Sequence, residues 1–135
     1  MAHFIKTIYL GMFLVLFKSS RWPTPETNAG MAAAFLTLVE FFAILGIACW
    51  VDIFLATKIM AEFPKWAVFI LFLILCAPNY YVLISKGHGA AFANEFAHFN
   101  KFKRWSLLLI CAMIMVAIFL FFLYSATTHR RILYP

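Results

Sequence analysis

Two carboxylates, Glu40 and Asp52, stand inside one apolar run from about Met31 to Ala56, and a carboxamide, Asn79, stands inside a second such run. An acid in that setting must face protein or water, or take up a proton. Its possible chemistry is therefore an interhelical hydrogen bond, recognition of a partner, or passage of a proton or ion. Glu40 lies nine residues into its run, about 14 Å along a helix. Asn79 comes six residues before Ser85, where the second run ends, or about 9 Å deep. If the two runs form antiparallel helices, Glu40 and Asn79 are expected to meet, with Pro78 freeing a carbonyl beside them. Asp52 lies toward the far end of its run, where Lys58 or the Arg130-Arg131 pair is expected to reach it.

Other chemistries are poorly supplied. No nucleophile, base and orienting group can be assembled from the Ser, His and acidic residues, and no phosphate-binding loop or H-E-x-x-H occurs. His3, His88, His98 and His129 form no i, i+4 pair, and Cys49, Cys76 and Cys111 each sit in an apolar run without a C-x-x-C. The cysteines read as small buried hydrophobes. The expectation is a protein that is not an enzyme and holds no metal or cofactor.

The elements that must position these residues follow from hydropathy. Of the 135 residues, 66% are hydrophobic and 12% charged, against about 45–50% and 25% in soluble domains. There is too little polar surface to cover a water-soluble fold, so the surplus must face lipid. The fold class expected is an all-α membrane protein. Three transmembrane helices are read over 31–56, 66–84 and 105–126, each near or above the roughly 20 residues a span needs. The first opens on Thr24-Pro25-Glu26, with Thr as N-cap and Pro in the first turn. The N-terminal segment 3–22 has an unbroken apolar stretch of only ten residues, Ile8 to Phe17. It is read as an interfacial helix anchored by Lys6, Lys18, Arg21 and Trp22, with a short fourth span as the alternative. Pro78 should kink the second span. Between the second and third spans, 88–104 reads as an amphipathic loop helix. Its residues Phe92, Phe96, Phe99 and Phe102 fall within about 120° of a helical wheel, a face expected to anchor in lipid or dock a protein. Residues 127–135 read as an outward tail.

Lys6, Lys18, Arg21, Lys86, Lys101, Lys103 and Arg104 fall on one side of such a layout, and Lys58, Lys65, Arg130 and Arg131 on the other. Seven against four puts the N-terminus and the Phe-rich loop in the cytoplasm and the C-terminus outside. The net charge of +6 borders the apolar runs and forms no separate basic domain. Its expected partners are anionic lipid headgroups, not nucleic acid.

The stretch Asn79-Tyr-Tyr-Val-Leu-Ile84, a loop ending in Phe102-Lys-Arg-Trp105 and an all-apolar last span resemble the layout of short uncharacterised bacterial inner-membrane proteins. Some of these are regarded as immunity proteins against secreted toxins. The resemblance implies a non-enzymatic membrane interaction protein with a protein partner, possessing Glu40, Asn79 and Asp52 as its polar determinants. An accessory subunit of a larger membrane complex and a pore or proton-passing homo-oligomer centred on Glu40 are the alternatives.

Overall fold

The computed structural model describes residues 1–19 and 23–135, and every regular element among them is helical. Helix α1 (Ala2–Ser19) is followed by α2 (Pro25–Leu55), a short α3 (Ile59–Glu62) and α4 (Lys65–Tyr80), which continues as a π-helical turn (Tyr81–Ser85). Helices α5 (His88–Ala97) and α6 (Lys101–Leu133) complete the chain. Four of them, α1, α2, α4 with its π turn, and α6, are long and apolar enough to cross a membrane. Arg21 and Trp22, expected as anchors, lie outside the described residues.

The long helices zip together through aromatic and small residues. Phe42 packs on Phe119 and Phe122, Trp50 donates from Nε1 to Ser125 Oγ at 2.9 Å, and a Cβ on Gly46 would meet the Phe121 ring at 2.6 Å. Residue numbers rise together along this seam, so α2 and α6 run parallel. On its other side α2 meets α4 antiparallel: Thr37 and Glu40 lie at Asn79, whereas Phe41 meets Phe72 edge-on.

Helix boundaries have local causes. Thr24 is extended and its Oγ1 accepts the Thr27 N–H at 3.2 Å, starting α2 at Pro25. Pro78 has no N–H to give the preceding turn, and the helix relaxes past it into the π turn, closed by Lys86 N–H to the Tyr81 carbonyl at 2.9 Å. Gly87, at φ +68°, takes a left-handed conformation that favours glycine and turns the chain into α5.

Three expectations need correction. The loop helix read over 88–104 is two elements, because the Asn100 side chain accepts the Lys103 N–H at 2.8 Å and caps a new helix. The third span and its tail, read as 105–126 and 127–135, are one 33-residue helix to Leu133, since no breaker interrupts them and Arg130 and Arg131 suit the negative end of the dipole. The Phe face does not turn to lipid as a whole. Phe92 and Phe96 are buried, Phe99 packs between them, and Phe102 alone stands out. An amphipathic helix presents an apolar face, and here α1 covers it.

Helix α1 is what fills the centre. Its Leu10, Phe13 and Leu14 form a core with Ala32, Ala33 and Leu36 of α2, with Leu83, and with Phe92 and Phe96. At its last turn the Phe17 carbonyl accepts from Asn28 Nδ2 at 2.8 Å. At its first turn His3 and Phe4 line a cavity shared with Phe99 and Lys103. Both ends of α1 therefore meet residues from the end of the bundle where α2 and α6 begin, although about 20 Å of helix separates Phe4 from Phe17. It crosses its neighbours obliquely.

Candidate functional site

Glu40 and Asn79 are in contact. The Asn79 amide donates to Glu40 Oε2 at 2.8 Å and to Thr37 Oγ1 at 3.0 Å, and the Thr37 hydroxyl donates to the Ala33 carbonyl at 2.9 Å. The Asn79 carbonyl accepts from the Tyr9 hydroxyl. Asn79 thus uses both N–H groups and its oxygen to tie α1, α2 and α4 together at one point. Antiparallel depth arithmetic brings Glu40 and Asn79 to this point, but Tyr9 and Thr37 join them without having been singled out. Thr37 stands one helical turn before Glu40, a spacing that could have flagged it. Nothing local marks Tyr9, because a tyrosine near a basic terminus reads as an interface residue.

Asn79 is the one hydrogen-bond donor that Glu40 has among the described residues, and its side chain is only partly buried. The reason lies in α2. On a helical wheel Glu40, Ile44, Ile47, Val51 and Phe54 fall within about 80°. The same face one to three turns earlier carries Ala29, Ala33 and Leu36, which α1 covers. Beyond Glu40 none of the described residues seals it, and Ile44, Ile47, Val51 and Phe54 are exposed. Glu40 sits where the cover ends.

Asp52 is arranged differently. Its side chain is 1% exposed. Oδ1 accepts from the Thr57 hydroxyl at 2.7 Å and the Ile59 N–H at 3.1 Å, while Oδ2 accepts from the Met60 N–H at 2.9 Å and faces His129 Nε2 at 3.0 Å. The carboxylate satisfies the otherwise open N–H groups at the start of α3. A carboxylate only accepts, so Nε2 is the donor in the His129 contact. The expected bridge to Lys58 or Arg130-Arg131 is replaced by His129, which the continued α6 helix turns inward. Lys58 instead stands 5.1 Å over the Tyr134 ring.

Cys49 and Cys111 are buried, Cys76 is partly so, and all three are free thiols. Among the described residues no three His, Cys, Asp or Glu side chains are placed to share a metal ion. No protein-family model matches the chain, and neither a curated protein nor a solved structure is detectably similar to it.

Proposed function

We propose that the chain is a non-enzymatic membrane interaction protein that binds a partner helix along the uncovered face of α2. The observation that carries this reading is the Glu40 carboxylate, held by one donor at the inner end of an exposed apolar stripe. A carboxylate at bilayer depth is costly unless paired. A partner helix that lays small or aliphatic residues along Ile44, Ile47 and Val51 and brings a hydroxyl, amide or basic group to Glu40 would complete both requirements. The layout resemblance to immunity proteins makes a membrane-acting toxin the partner to test first.

In this reading α2, α4 with its π turn, and α6 span the bilayer of a bacterial inner membrane. Helix α1 lies obliquely at the loop end, supported by the return of both its ends to that side of the bundle. The surplus of Lys and Arg on the loop side supports a cytoplasmic loop and N-terminus and an outward C-terminus.

The test is purification of the tagged protein in mild detergent from its native host, with mass spectrometry of what accompanies it. A stoichiometric partner retained by the wild type and lost from Ile47→Trp and Glu40→Leu variants is expected. Recovery of the chain alone as a defined oligomer that dissipates an ion gradient in liposomes, with Glu40→Gln abolishing the flux, would replace this reading with a conducting one.

A further inference from the structure

We propose that the cavity between α1, α5 and the start of α6 binds one anionic glycerophospholipid, its acyl chain against the wall and its phosphate between Lys6 and Lys103. The inference rests on the membrane setting alone and not on the Glu40 stripe. The cavity has a volume of about 460 Å³, within the roughly 300–1,000 Å³ of small-ligand sites. Leu10, Phe92, Leu107 and Ile110 make its wall apolar, while Lys6, Lys103 and Glu95 border it. Lys103 Nζ stands 3.8 Å from the centroid of the Phe99 ring, another lining residue, which holds its charge at the cavity edge.

The electrostatics select the ligand. Among the described residues the one ion pair is His129 with Asp52. Lys6 and Lys103 therefore have no carboxylate within ion-pair distance, Glu95 included, and two uncompensated ammonium groups flank an apolar wall. A phosphodiester supplies the missing anion, as in basic pockets between membrane helices. Glu95, which only accepts hydrogen bonds when ionised, then faces a headgroup hydroxyl, as phosphatidylglycerol carries. A free phosphate would answer the lysines but leave the wall uncovered.

The full chain, reconstituted in vesicles of equal phosphatidylglycerol and phosphatidylcholine and re-extracted in mild detergent, is read by native mass spectrometry for retained lipid. One phosphatidylglycerol per chain is expected, at least about tenfold over phosphatidylcholine. Lys6→Gln with Lys103→Gln should bring that preference below about twofold, whereas Lys101→Gln, outside the cavity, leaves it intact. Ile110→Trp, filling the space, should remove retained lipid of both kinds from a chain that still elutes as the wild type does. Equal retention of the two lipids by the wild type, a preference untouched by the double lysine variant, or displacement of the lipid by millimolar inorganic phosphate would each overturn the proposal.

Discussion

Asp52 and Glu40 stand twelve residues and about 120° apart on one helix, and their surroundings differ in kind. Three elements close over Asp52, the turn after α2, the first N–H groups of α3 and the last turns of α6, and four groups meet its two oxygens. Glu40 meets one donor, and α1 ends its coverage of α2 beside it. A sealed and fully bonded acid is part of the architecture, because removing it takes the shared acceptor from four groups at once, the buried His129 among them. A half-sealed acid has bonding capacity left for something outside the chain. On the proposed function, the difference separates a residue that holds the protein together from one available for recognition.

The sharpest way to break that distinction is to remove each acid and measure unfolding in detergent. Asp52→Leu leaves the buried His129 without its acceptor and takes theirs from the Thr57 hydroxyl and the Ile59 and Met60 N–H groups, and should cost about 3–5 kcal/mol. A loss below about 1 kcal/mol would mean that the sealed site is not structural. Asn79→Leu deletes three hydrogen bonds among α1, α2 and α4; at about 0.6–1.7 kcal/mol for each interhelical bond, with partial compensation, about 2 kcal/mol is expected. Gly46→Ala, which tests the α2–α6 seam away from either acid, pushes on the Phe121 ring. That ring is 39% exposed and can swing outward, so the cost should stay near 1 kcal/mol, the low end of overpacking. Smallest of all is Glu40→Gln, whose carboxamide oxygen still accepts from Asn79: about 0.5 kcal/mol in the same unfolding assay. Should Glu40→Gln destabilise as much as Asn79→Leu, Glu40 belongs with Asp52 as a structural residue.

Much of this arrangement is legible in the sequence. Thr24-Pro25 marks the start of α2 through capping chemistry that acts within four residues. The meeting of Glu40 with Asn79 follows from counting rises along two antiparallel helices. A tail after Ala126 hides His129; the absence of Gly or Pro between Ala126 and Pro135 is the signal that the helix continues. The Phe92–Phe99 stripe was legible as a face but not as to what it faces. In a bilayer, lipid and protein interior are both apolar, so hydropathy periodicity cannot tell one from the other.

The helical, lipid-compatible composition, the main helix boundaries and the depth of the polar residues are local properties of the chain, because each depends on hydropathy, capping and rise per residue over short stretches. The path of α1 is set by packing across the fold. That short helix has too few unbroken apolar residues to declare its orientation, and its packing on Ala32, Ala33 and Leu36 is a matter of fit between surfaces distant in the chain. From that path follow the burial of the Phe stripe, the recruitment of Tyr9 to Asn79, the lysine-bordered cavity and the point on α2 where cover stops and Glu40 begins an open face.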